Sequence, residues 1–139
     1  MVDPFGLILG VIRADAAVVA IASTRVSSEV SDTLPCVVLT DSATTRHPFG
    51  PGSSGLGLQA WTGFAKCYGA DDPTGAIAAR NLAGAVSDSL HGRGVTRDGS
   101  RLMLRAYAPD IDGIDRDPDT RWPLYTVRIE AYLAAEAVA

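Results

Sequence analysis

Residues 122–133 (WPLYTVRIEAYL) alternate without a fault. Leu124, Thr126, Arg128, Glu130 and Tyr132 fall on one side of an extended chain, and Tyr125, Val127, Ile129, Ala131 and Leu133 on the other. Successive side chains of a strand point to opposite faces, so this run commits the chain to a sheet with one apolar and one wetter face. Such one-sided burial belongs to antiparallel sheets. The other segments have to supply partner strands and a cover for the apolar face.

Two Asp-Pro steps supply the cover. Asp3-Pro4 and Asp72-Pro73 each place a side-chain acceptor before a proline at the first helical position. After the first, Leu7, Ile8, Val11 and Ile12 recur at helical spacing, which predicts a helix from Pro4 to about Ala22 with a break near Arg13–Asp15. After the second, Ile77, Leu82, Val86 and Leu90 form the expected apolar stripe, five alanines permit close approach to a sheet, and Gly92 stands where a C-terminal cap belongs. Strands are expected at Arg25–Val30, Cys36–Thr40, Leu56–Tyr68 and Arg101–Tyr107. Residues 46–55, RHPFGPGSSG, read as an exposed flexible loop, and residues 109–120 as an acidic one. The 139 residues suit one domain spanning 1–139. The resulting fold class is α+β: a mainly antiparallel sheet of four to five strands with two principal helices packed on one face.

Composition narrows the function. Twelve basic against sixteen acidic residues leave a net charge of −4, which excludes a nucleic-acid binder acting by bulk positive charge. The N-terminus lacks the basic start of a secretory signal, and the apolar stretch 5–22 carries Arg13 and Asp15, so neither a signal peptide nor a membrane span is expected. Cys36 and Cys67 lie in apolar, strand-like runs without zinc spacing and read as reduced core thiols.

No catalytic constellation emerges. His47 falls in the flexible loop, and His91 in the last turn of a helix, where a cation suits the dipole. The serines lack a nucleophile-elbow context, and Gly50–Gly57 fits neither a P-loop nor a dinucleotide fingerprint. No enzyme, cofactor or resident metal is therefore expected. Asp110, Asp112, Asp115, Asp117 and Asp119 crowd five of thirteen aspartates into ten residues. Clustered carboxylates bind Ca²⁺ in the right frame, but this run has no D-x-D-x-D-G and no Glu at the twelfth position. A solvated acidic hairpin loop, held by Arg116 and Arg121, or a partner-facing surface, remains. Arg101 and Arg105 stand four apart, with Arg93 and Arg97 just upstream. A basic segment beside an acidic one suits head-to-tail contact between copies. The candidate interaction residues are thus Asp110, Asp112, Asp115, Asp117, Asp119, Arg101, Arg105, His47 and Phe49.

Over roughly residues 7–133 the sequence resembles the tail terminator (tail completion, or tail-to-head joining) family of long-tailed bacteriophages and gene transfer agents. The resemblance rests on four segments: ADAAVVAIASTRV, LPCVVL, FAKCYGADDPTGAIAARNLAGAVSDSL and DRDPDTRWPLYTVRIEAYL. It implies a structural subunit of a hexameric ring that caps the head-proximal end of the tail tube and stops its polymerisation. The implied partners are other copies of the chain, the tail tube protein and the head-completion or neck protein, with genomic DNA passing through the lumen unbound. The implied location is the virion, assembled in the host cytoplasm, with no membrane. The alternatives are another neck or tail structural protein (head-closure, connector or tail-tube subunit) and, from a different class, a small metal- or ligand-binding module.

Overall fold

The protein's structure, a computed structural model, describes residues 4–46, 58–98 and 101–135. Two helices open the chain, α1 (Pro4–Ala14) and α2 (Ala16–Ala22), bent by 80° at Asp15. The break expected there has a specific cause. Asp15 is extended, and its Oδ1 accepts the backbone N–H groups of Ala17 (3.0 Å) and Val18 (3.1 Å), starting a new helix rather than continuing the old one. Leu7, Ile8, Val11 and Ile12 are buried as the spacing predicted, and Val18 and Ala22 join them. Among the described residues no single helix is long and apolar enough to cross a membrane.

The sheet follows in the order β1 (Val26–Ser27), β2 (Cys36–Arg46), β3 (Leu58–Tyr68), then, after helix α3 (Pro73–Leu90), β4 (Thr96–Asp98), β5 (Arg101–Tyr107), β6 (Ile111–Arg116) and β7 (Pro123–Ala135). Its spatial order is β1-β2-β3-β7-β5-β4, with β6 also paired to β7. Every pairing is antiparallel except the short β1–β2 ladder. The α+β class and the one-sided helix layer are as expected, but the sheet has seven strands rather than four to five. The surplus comes from segments without a buried face. β4 is three residues long, and β6 lies inside the 109–120 stretch read as a loop, with all six residues exposed. Backbone pairing makes them strands, and hydrophobic periodicity cannot register that. The candidate strand 25–30 shrinks to Val26–Ser27.

The helices cover one sheet face. There, Val37 and Leu39 of β2, Trp61, Ala65 and Cys67 of β3, and Val127, Ile129 and Leu133 of β7 meet Ile8, Ile12, Leu82, Val86 and Leu90. Fully burying each large aliphatic side chain contributes about 1.5–3 kcal/mol. Trp61, the bulkiest, packs against Gly63: a Cβ at Gly63 would sit 2.3 Å from the indole ring, so only glycine leaves it room. The indole N–H donates to Asp41 Oδ1 at 2.7 Å, which satisfies the buried ring's one polar atom.

Helix α3 begins where Asp72 Oδ1 accepts the Gly75 N–H at 2.5 Å, with Pro73 at the first position. Its buried stripe is Ala79, Leu82, Ala83, Val86 and Leu90, and Ile77, assigned to that stripe from sequence, is 60% exposed. In an alanine-rich helix, alanines facing a sheet at close range carry the contact, which leaves Ile77 on the far side. The first turn packs so tightly on the end of β3 that a Cβ on Gly69 or Gly75 would meet opposing backbone at 1.9 Å.

A second, smaller cluster forms on the opposite sheet face from Cys36, Val38, Tyr68 and Leu124, flanked by Leu34 and Trp122. Tyr68 and Trp122 meet edge to face at 6.3 Å. Cys36 pairs with Tyr68 and Cys67 with Val37, so the two thiols point to opposite faces; both are free and buried. Burial pushes both thiols' pKa values up.

Candidate functional site

The acidic run does not form a basket. Asp112 and Asp115 lie on β6 opposite Thr126 and Leu124 of β7, and Asp117 and Asp119 sit in the tight turn joining the two strands. Laid along an extended hairpin, the carboxylates spread outward. Among the described residues no three His, Cys, Asp or Glu side chains converge to hold a metal ion. Asp117 is the structural member of the set. Its Oδ1 accepts the N–H groups of Asp119 (2.9 Å) and Thr120 (3.0 Å), and these backbone donors hold its carboxyl below the usual range. Arg116 ties the hairpin down as the sequence suggested. Its Nη1 bonds Asp71 Oδ1 at 2.9 Å and the Arg121 carbonyl at 3.0 Å. The Arg116–Asp71 pair is half exposed on both sides, so it contributes at most about 1 kcal/mol. Arg121 instead serves through its backbone, at φ +67°, donating its N–H to the Asp117 carbonyl at 2.9 Å.

The register of β5 shifts between Met103 and Arg105. The backbone of Arg101 pairs with Ala135, and Arg105 pairs with exposed Tyr132 on the outward side. Arg105 lies 5.8 Å from the centre of the Tyr107 ring, and Tyr107 meets Tyr132 edge to face at 6.3 Å. This cation–aromatic group on the outer sheet face was missed in the sequence. Its only signal was the spacing of Arg105 and Tyr107. His47 and Phe49 lie outside the described residues, as does most of the 46–55 loop.

His91 is the C-cap of α3, one residue past its last turn. Its Nδ1 accepts the Ala108 N–H at 3.1 Å. Ser87 Oγ donates to the Ala108 carbonyl at 2.5 Å and Ser89 Oγ to the Val86 carbonyl at 2.7 Å. The Ser89 bond stays within the helix, while the His91 and Ser87 bonds, with that from Gly92 N–H to the Ala106 carbonyl (2.9 Å), stitch the helix end to β5 and its continuation. Gly92 adopts φ +74°, which the expected terminal glycine allows. The polar side chains near the helix end are thus spent on backbone partners rather than arranged as nucleophile and base.

Grooves mark the helix side, and two of them also border strands. One, of about 640 Å³, runs between α2, α3 and β6, with Ile21, Arg80, Gly84, Asp88, Ile111 and Tyr125 among its walls. The other, of about 310 Å³, lies on α1 over Leu7, Gly10, Val11 and Ala14, and Arg93 and Arg97 form its rim. Their walls mix apolar side chains with charged ones.

No protein-family model matches the chain, and no curated protein matches it. Among solved structures, it is similar to a chain in the virion of a native gene transfer agent (GTA) particle, with a TM-score of 0.72 at 17% identity over 95% of both chains. The two share a fold from end to end, helix layer and sheet alike.

Proposed function

We propose that the protein is a structural virion component of a phage-type or gene-transfer-agent particle, and within it the tail terminator. A ring of copies, six by the family resemblance, caps the head-proximal end of the tail tube, ends tube growth and offers its other side to the neck. The observation that carries this reading is the whole-length fold match to a virion chain of a gene transfer agent, at 95% coverage of both partners. The surface chemistry supports it: contact grooves and charged edges dominate over any convergent reactive cluster. A net charge of −4 per copy also suits a passage through which DNA slides without binding, because phosphate binding needs cationic neutralisation.

The test is removal of the chain from particle-producing cells, followed by electron microscopy. The expected result is tails of unregulated length, unjoined to heads, with the tagged chain restored to the tail's head-proximal end on complementation. Tails of normal length joined to heads would overturn the reading. Growth of the purified chain into long tubes would assign it instead to the tube itself.

A further inference from the structure

The groove on α1 holds a glycine that the packing of the core does not explain. Leu7 and Val11 lie beneath it at 2% and 8% exposure, and between them Gly10 opens to the surface in mid-helix. Glycine is the least favourable helix-interior residue after proline, and among the described residues nothing outside its own helix crowds it: a Cβ on Gly10 would meet no such atom within 4 Å. What a Cβ would fill is the groove. Exposed Arg93 and Arg97 stand along the rim, where Arg93 is held in place by its Nε donating to Thr96 Oγ1 (3.0 Å) and its Nη1 to the Ser89 carbonyl (3.3 Å).

The β6–β7 hairpin has the opposite relief. Ile114 projects from it at 54% exposure between Asp112 and Asp115, with Asp117 and Asp119 at the tip. An apolar knob flanked by carboxylates matches an apolar floor flanked by guanidiniums. The two cannot meet within one chain. β4 lies level with Leu133 of β7 through Met103, whereas Asp115 pairs with Leu124. That offset of nine residues along a straight strand amounts to roughly 30 Å.

From this complementarity we infer that the Gly10 groove receives the Ile114 hairpin of a second copy of the same chain. The contact is heterologous: each copy offers one groove and one hairpin, so copies join head to tail and either close into a ring or continue as a filament. The inference rests on the tail-terminator reading only for the ring; the contact itself belongs to the isolated protein.

Disulfide trapping tests it, with the native thiols buried and out of reach. The positions chosen are exposed Ile114 and open Gly10, as Ile114→Cys and Gly10→Cys. A chain carrying both substitutions is expected to give an oxidised ladder of oligomers, and an equimolar mixture of the two single variants only dimers. Each single variant alone is expected to stay monomeric. Arg97→Glu should cut the ladder at least tenfold, with recovery when the hairpin carries Asp112→Arg. Absence of a ladder from the doubly substituted chain, or cross-linking by Ile114→Cys alone, would overturn the contact. No ladder while the chain still localises to the tail end would refute this interface and leave the tail reading standing. A ladder from a chain absent from particles would do the reverse.

Discussion

From Ile129 to Leu133, β7 runs between β3 and β5 beneath the helices, and its inward side chains are sealed from solvent. From Pro123 to Val127 it runs between β3 and β6, again paired on both edges, but its β6 neighbour exposes every residue. The ladder is continuous and β7 itself stays buried at Leu124 and Val127, but burial stops at the β6 edge. Hydrogen bonds alone, each worth about 1 kcal/mol net, hold a strand in place without giving it much stability of its own. One half of β7 is therefore a foundation, and the other carries a projection that is available for contact.

Truncation should break this contrast most visibly. Leu133→Ala empties a fully buried site and is expected to cost about 2–5 kcal/mol, whereas Ile114→Ala on the hairpin should stay within about 0.5 kcal/mol. Denaturant midpoints of the two variants measure the difference, and equal losses would erase the distinction. A smaller, local effect is expected at Gly113. A Cβ there would sit 2.4 Å from the Tyr125 ring, so Gly113→Ala should push β6 away from β7 at about 1–3 kcal/mol. Hydrogen exchange should quicken in β6 while β3 and the Ile129–Leu133 stretch stay protected. Uniform acceleration would show that the hairpin is not a separable unit.

The smallest effects are pH slopes of opposite sign. Burial and then neighbouring Cys36 raise the Cys67 pKa above its ordinary 9.0. That stability is complete below pH 9.0 and is lost above it, where the unfolded thiol ionises and the folded one does not. Backbone donors lower the Asp117 pKa from 3.8, so its contribution is present above that value and fades as pH falls through the folded pKa. Cys67→Ala should make the alkaline limb of a stability profile shallower, and Asp117→Asn the acid limb. A profile in which the two substitutions exchange limbs would contradict the assignment.

The same contrast decides what was legible in the sequence. Where side chains are buried, their periodicity is printed in the chain: β7 and the inward face of α1 follow from it, whereas the strand expected at Leu56–Tyr68 alternates only in a mixed way. The helix break at Asp15 was readable from capping chemistry. β6 was not, because a strand with no inward side carries only its charges, and charges read as loop. The Ile77 assignment failed because an alanine-rich helix blurs its own stripe. For the candidate site, the acidic run was visible as chemistry, but its shape as a hairpin knob was not. Gly10 gave no signal, since a glycine shows its significance only when the space above it is known.

The double pairing of β7 has a mechanical consequence. The acidic hairpin sits at one end of this strand and the β4 edge at the other. A pull applied between those two ends runs along β7 and loads its ladders with β3, β5 and β6 lengthwise. The bonds then bear the force together in shear, not one after another as in peeling. A strand gripped on both edges yields last under such a load, so tension entering at the hairpin would be spread across the sheet before any one pairing gave way.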